Sequence, residues 1–309
     1  MFTPARQRGS EILDDPAQDP ALALRSLREL YEWTPGDFVR TAETAGSYLG
    51  HFHEYLVRGG FPQTALVDNI TQAQRLLRED IIDKVLKRDM TALFGVRRVL
   101  DLEHTFLYLC MHDGGLLDMA DLCGNLEVKR PTAQHFIELL EATHLIYRLL
   151  PHGYGKDVLR GKAKIYLADA AIAPAVMLKG KGLLDDPAAL GVATETAVFK
   201  HLYARYYAQS IRFSYWRGTR DREVDLLAEV GGELIPFEVK YRAQHTGARE
   251  LKGLIELCDQ KKLPRGYVVT KSIDDFGPLP LPGRQDSPLM RIPAALLCHW
   301  MGATEVVPG

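Results

Sequence analysis

Apolar residues recur at helical spacing over the first two thirds of the chain, and alternate with polar ones over short stretches of the last third. Leu24, Leu27, Leu30 and Tyr31 fall at helical spacing before a break at Thr34-Pro35. Pro35-Gly36-Asp37 restarts a helix through Leu56, which Arg58-Gly-Gly-Phe-Pro62 ends, as glycines followed by proline should. Leu76, Leu77, Ile81 and Val85 mark one side of a helix over 73–87. Helices follow over 99–112, 117–123 and 131–144, the last with proline in its first turn and an inward stripe of Ala133, Phe136, Ile137 and Leu140. Strands over 145–150 and 164–168 come next, joined by a glycine-rich basic loop. A helix over 191–207 then carries Val198, Phe199, Leu202 and Tyr206 on one side. A strand over 211–217 precedes two apolar-rich runs flanking Gly231-Gly232, a two-residue hairpin turn. A helix over 247–261 and a strand over 267–270 complete the order α-β-β-β-α-β.

This pattern predicts an α/β plus all-α chain in three parts. Residues 1–62 form a leader and helical segment. Residues 63–183 have the helix–helix–turn–helix–hairpin order of a winged helix. Residues 184–309 form a mixed sheet with helices on its faces. At 309 residues there is room for two or three cores, and 46% hydrophobic with 25% charged residues is ordinary for a soluble globular protein. The net charge of −2 offers no global attraction to nucleic acid, so any such binding must come from a local patch. Cys110, Cys123, Cys258 and Cys298 form no CxxC pair, which argues against a zinc knuckle and fits reduced thiols. With no basic-then-apolar leader, and Pro174 inside the longest apolar stretch, the chain is expected to be cytoplasmic and to have no membrane partner.

The hairpin changes the picture most. With Val230 facing Glu233, paired positions sum to a constant and Asp225 lies opposite Glu238, their β-carbons about 5 Å apart on one sheet face. Two carboxylates so placed call for compensation, and a divalent cation with oxygen ligands is the natural candidate. Lys240 shares the face of Glu238. Competing readings stand beside this one. Glu223 falls opposite Lys240 and suits a cross-strand ion pair, Asp225 suits a half-exposed edge position, and Pro236 implies an edge strand or a bulge that would shift Glu238. His51 and His53 point about 200° apart on a helix, which suits a solvated surface better than a metal. In the helical segment, Lys129, Arg130, Thr132 and His135 flank the start of the third helix, where winged helices contact bases. The loop holds Arg148, Lys156, Arg160, Lys162 and Lys164 against Asp157, an excess of four positive charges able to displace counterions from a duplex; a merely solvated loop is the alternative.

The α-β-β-β-α-β order with Asp225 and Glu238-Val239-Lys240 resembles the PD-(D/E)XK nuclease superfamily, although no proline precedes the aspartate. Glu195, on the apolar stripe of the preceding helix, matches the superfamily's further acid. The resemblance implies that Asp225, Glu238 and the Val239 carbonyl hold Mg²⁺ (or Mn²⁺), with Glu195 assisting directly or through water. It implies that Lys240 orients or deprotonates the attacking water, and that Arg217, with Arg220 and Arg222, receives DNA phosphates. A closer resemblance covers about 52–270. Tyr55-Leu-Val-Arg-Gly-Gly-Phe-Pro62, Arg78-Glu-Asp-Ile-Ile82, Lys164-Ile-Tyr-Leu-Ala-Asp169, Tyr215-Trp-Arg217, Glu223-Val-Asp225 and Phe237-Glu-Val-Lys240 look like a prokaryotic AAA-type ATPase family. That family joins a winged helix to a PD-(D/E)XK-like domain in its C-terminal half, and residues before Arg58 would be an ATPase lid remnant. No G-x-x-x-x-G-K-[ST] loop occurs here. Gly155-Lys156, Gly161-Lys162 and Gly180-Lys181 are followed by Asp, Ala and Gly, so ATP hydrolysis is not expected. The expectation is a DNA-interacting protein with a Mg²⁺-dependent phosphodiesterase site. The alternative is an inactive binding or regulatory module, or a truncated member, working with a separate ATPase subunit.

Overall fold

Ala73, Leu77, Ile81, Ile82, Leu86 and Met90 are buried along one continuous helical run. Its first part, α1 (Ile70–Arg78), is capped by Asn69, which accepts from the Gln72 N–H at 3.1 Å. The run continues over Glu79–Asp89 as π-helix rather than the regular helix the sequence predicts. Leu86 follows the buried pair Ile81 and Ile82 by five and four residues, wider than the 3.6 of an α-helix turn, and the looser winding keeps them on one side. These coordinates are a computed structural model describing residues 23–153, 155–156, 158, 161–209, 211–219, 222–283, 287–302 and 304–306.

Contacts divide the chain into two units. The first comprises residues 54–150 and 155–197. In it α2 (Val99–Met111), α3 (Met119–Leu126) and α4 (Arg130–Ala142) precede two short antiparallel strands, β1 (Ile146–Leu149) and β2 (Lys164–Leu167). Leu116, between α2 and α3, bridges to Lys164 and adds a third extended segment to the pair. Phe106, Leu122, Phe136, Leu140, Ile146 and Ile165 share one core. Arg58-Gly-Gly-Phe-Pro62 has a structural role here. Gly59, at φ +85°, has left the helix Tyr48–Arg58, and a Cβ on it would lie 2.9 Å from Asp169 Oδ1. Asp169 is fully buried and accepts from the Gly60 and Ala171 N–H groups, both at 3.0 Å. Two of the motifs that carry the resemblance, one with Gly59-Gly60 and one ending at Asp169, are therefore joined by one backbone tie.

The second unit holds the residues up to His53, Pro151–Tyr154 and everything from Val198 on; the long helix α5 (Pro187–Tyr206) runs through both. Its sheet has six strands in the order β3-β4-β5-β6-β8-β7. β3 (Arg212–Arg217), β4 (Glu223–Val230) and β5 (Glu233–Lys240) are antiparallel. β6 (Gly266–Thr270) and β8 (Leu289–Pro293) continue parallel to β5, and β7 (Gly277–Pro278) caps the edge antiparallel to β8. α6 (Lys252–Lys261) covers one face through Leu254, Leu257 and Cys258 against Val224, Leu227 and Val268. β7, β8 and a final helix α7 (Ala294–Trp300) extend the predicted order. Residues near the start of the chain belong with this sheet: Tyr31 donates to the Pro288 carbonyl at 2.8 Å, and Trp33 and Phe38 stack edgewise on Phe276. Among the described residues no helix is long and apolar enough to cross a membrane.

Pro236 corrects one expectation. It sits in β5, an interior strand, without a bulge, because Leu227↔Pro236 stays in register with its neighbours. Hydrogen-bonded and open pairs alternate from the turn, which makes this an open pair whose nitrogen points away from β4. The parallel ladder to β6 begins only at Phe237, so no partner misses the absent N–H. The bulge lies elsewhere, in β4 against β3.

Candidate functional site

The β4–β5 register runs from Val230↔Glu233 to Leu226↔Phe237, and the next residues on the two strands, Asp225 and Glu238, are joined by hydrogen bonds. Between Ser214 and Trp216 the β3–β4 pairing slips by one residue, and the extra residue falls at Asp225–Leu226 of β4. At this irregularity the Asp225 N–H is taken by Glu238 Oε2 at 3.3 Å, while Asp225 Oδ2 accepts from the Val239 N–H at 2.8 Å. Each acid thus holds a backbone amide at or beside the other. Glu238 is only 5% exposed, whereas Asp225 and Lys240 are half-buried. Lys240 Nζ reaches Glu238 Oε1 at 2.5 Å, so its ammonium is engaged along its own strand. Burial first, and the neighbouring Asp225 second, push the Glu238 carboxyl up to about 8; Lys240 opposes them without offsetting them.

Glu195 has other company. In the first unit its Oε1 accepts from Tyr166 OH at 2.6 Å and faces Lys164 Nζ at 3.3 Å, with Lys164 almost wholly buried on β2. Asp113 lies close by, accepting from the Leu167 N–H at 2.9 Å and from Thr196 Oγ1 at 2.7 Å. Burial raises this carboxyl to about 7 despite those hydrogen bonds. The cost of a glutamate on the apolar stripe of α5 is therefore met by a lysine and a tyrosine. Sequence reasoning missed Asp113, whose setting in His112-Asp-Gly-Gly115 reads only as the end of a helix.

Among the described residues no group of three or more His, Cys, Asp or Glu side chains comes together that could hold a metal ion. Asp225 and Glu238 are a pair. A pair still fits Mg²⁺, which commonly keeps several waters and is held by one or two carboxylates. The raised proton affinity of Glu238 marks a buried position that lacks positive charge beyond what Lys240 supplies. The donor chemistry therefore suits a hard divalent cation held by Asp225 and Glu238, with the Val239 carbonyl a further oxygen on the same strand.

The residues expected to face nucleic acid divide into two sets. Lys129, Arg130 and His135 are exposed and Thr132 half-exposed at the start of α4. The loop is less basic than its composition. Arg148 Nε donates to Glu141 at 2.7 Å, Lys162 is ion-paired with Asp118, and Lys164 is buried against Glu195. Lys162 is the leading cause of the Asp118 carboxyl lying low, at about 2. Of the expected cations Lys156 is exposed, and Arg160 lies outside the described residues. Arg217 is exposed at the end of β3, Arg222 is ion-paired with Glu256, and Arg220 again lies outside the described residues. His51 is exposed as expected, but His53 is partly buried with its Nε2 2.8 Å from Tyr241 OH.

Residues 49–183 match a domain of unknown function, DUF8612, and residues 190–278 match a second, DUF4143. The latter is found in the C-terminal region of AAA-ATPase-like proteins. Uncharacterized proteins of Mycobacterium bovis and Mycobacterium tuberculosis are each 26% identical to this chain over 203 residues. That match covers 64% of the chain and 45% of each relative, so the chain spans less than half of their length. No solved structure matches.

Proposed function

We propose that this chain is a nucleic-acid-interacting protein whose C-terminal sheet carries a Mg²⁺-dependent, phosphodiester-cleaving site of the PD-(D/E)XK type. The observation that carries the proposal is the Asp225–Glu238 pair on adjacent strands, one carboxyl buried, with Lys240 beside it. In this reading Asp225, Glu238 and the Val239 carbonyl hold the cation. When bound, Mg²⁺ supplies positive charge against the phosphate and a more acidic water. Lys240, which stands beside Glu238, would orient the attacking water and stabilise charge developing on phosphate oxygen. Glu195, whose Oε1 is engaged by Tyr166 and Lys164, is not called on to hold the cation in this reading. The experiment is cleavage of duplex and single-stranded DNA with Mg²⁺ or Mn²⁺. Metal-dependent cutting by wild type, lost in both Asp225→Ala and Lys240→Ala, is expected. Cutting that survives both substitutions removes this site from the account.

The helical unit is read as a winged helix. Its support is the order α2, Leu116, α3, α4, β1, β2 and the exposed start of α4. Contacts then come from Lys129 and Arg130, with Lys156 the exposed cation of the loop. Replacing both with alanine is expected to weaken duplex binding and to lower the slope of log affinity against log salt by about 2. Replacing Lys162, which answers Asp118, is expected to leave the slope nearly unchanged; fluorescence anisotropy over a salt series checks both. A second reading is a binding or regulatory module without turnover that works with a separate ATPase subunit; it is favoured by the carboxylates numbering two rather than three among the described residues. Metal binding without cleavage in the same assay selects it.

A further inference from the structure

The loops leaving the carboxyl ends of β5 and β6 are tied together by His245 and Asp275. Lys240 lies beside Thr270 in the parallel register, and His245 and Asp275 follow them by equal steps along the two chains. Asp275 is 2% exposed, yet its Oδ1 meets Nδ1 of a histidine whose side chain is 76% exposed. A carboxylate accepts only, so Nδ1 carries the hydrogen, and the tautomer and tilt of the ring are fixed while its outer edge, with Nε2, faces solvent. Packing gives no reason for this arrangement, because so exposed a ring buries little apolar surface. Charge compensation gives none either, since Arg291 Nη1 already stands 3.6 Å from the same Oδ1. Of the other charged groups on the turn, Asp274 accepts from Ser272 Oγ at 3.4 Å and Lys271 Nζ stands 5.8 Å from the centre of the Tyr241 ring. Ligands of open α/β sheets bind outside the carboxyl ends of parallel strands, and this is the end of β5 that also bears Glu238 and Lys240.

We propose that His245, held by Asp275, is a nucleic-acid contact: placed between Asp275 and a backbone phosphate, its ring takes up a proton from solvent and donates Nε2–H to the phosphate oxygen. Asp275 acts as the positioning residue. The inference rests on the nucleic-acid reading above. The test is histidine Cε1–H NMR of the whole chain at pH 7.5, titrated with a short DNA duplex, with anisotropy of the same duplex recording binding. His245→Gln assigns the signal. The expected result is that the His245 signal moves to the imidazolium position as duplex is added. His245→Gln should weaken duplex binding by about tenfold or more, the scale of one charge-assisted hydrogen bond, and Asp275→Asn should abolish the shift while circular dichroism reports an intact fold. Duplex that binds by anisotropy without moving the His245 signal overturns this inference and leaves the nucleic-acid reading standing. No binding by anisotropy overturns both. A merely structural tie would hold the loops without any protonation on binding, so the wild-type spectrum separates the two roles even where a variant fails to fold.

Discussion

Glu238→Gln is expected to raise the melting temperature of the metal-free protein at pH 8.5 and to leave it nearly unchanged near pH 4. Burial and Asp225 hold the folded carboxyl up at about 8, against the ordinary glutamate value of 4.5. The folded state therefore keeps a proton that the unfolded chain releases. The sign follows from that difference: stability contributed by this group is full below about pH 4.5, declines as pH rises, and is lost above about 8. An amide does not titrate, so the variant escapes the decline. Losing the Lys240 partner offsets part of the gain, which leaves an advantage on the order of 2 kcal/mol at pH 8.5, or several degrees. Thermal melts in EDTA at the two pH values measure it. A destabilised variant at pH 8.5 means that the Lys240–Glu238 pair outweighs burial, and that the carboxyl serves the fold. A stabilised one is the signature of a residue kept for chemistry at the expense of stability.

Gly253→Val is expected to unfold the C-terminal unit or to cost at least about 3 kcal/mol in urea denaturation. Gly253 lies in the first turn of α6, and a Cβ there would stand 2.4 Å from the Glu223 carbonyl oxygen and 3.0 Å from its nitrogen. Both neighbours are backbone, so relief requires moving the helix from the strand. Glu223 is two residues from Asp225, and the displacement reaches the carboxylate pair. Divalent-cation affinity should therefore fall even in Gly253→Ala, the milder variant. A Gly253→Ala protein with unchanged urea midpoint and unchanged affinity contradicts the close approach of α6 to β4.

Much of the sheet and its carboxylate pair was legible in the amino-acid sequence because a two-residue glycine turn fixes register. Once Val230 faces Glu233, the partners down to Leu226↔Phe237 follow, and counting one step further brings Asp225 to Glu238, which it contacts. Pro236 misled because a proline's effect depends on which side its nitrogen faces, and that is set by the hydrogen-bond alternation counted from the turn. The strands β7 and β8 were missed because one has two residues and the other follows a proline-rich stretch with little alternation. Glu195 and the basic loop show a different limit. Periodicity gives the face of a helix or the charge of a loop, not the partner across the fold. Lys164 and Tyr166 for Glu195, Glu141 for Arg148 and Asp118 for Lys162 all come from segments whose proximity only tertiary packing creates. The His245–Asp275 pair was invisible for the same reason, its members being brought together by the parallel pairing of β5 with β6.

The central claim is that Asp225 and Glu238 together hold a divalent cation. Titration of Mn²⁺ into the EDTA-stripped protein, followed by electron paramagnetic resonance of the free ion, tests it without requiring turnover, substrate or a partner. The account predicts one saturable ion per chain in the wild type and its loss in Asp225→Asn and in Glu238→Gln, with binding retained in Glu195→Gln. No saturable binding by the wild type, or equal binding by the Asp225→Asn, Glu238→Gln double variant, contradicts it.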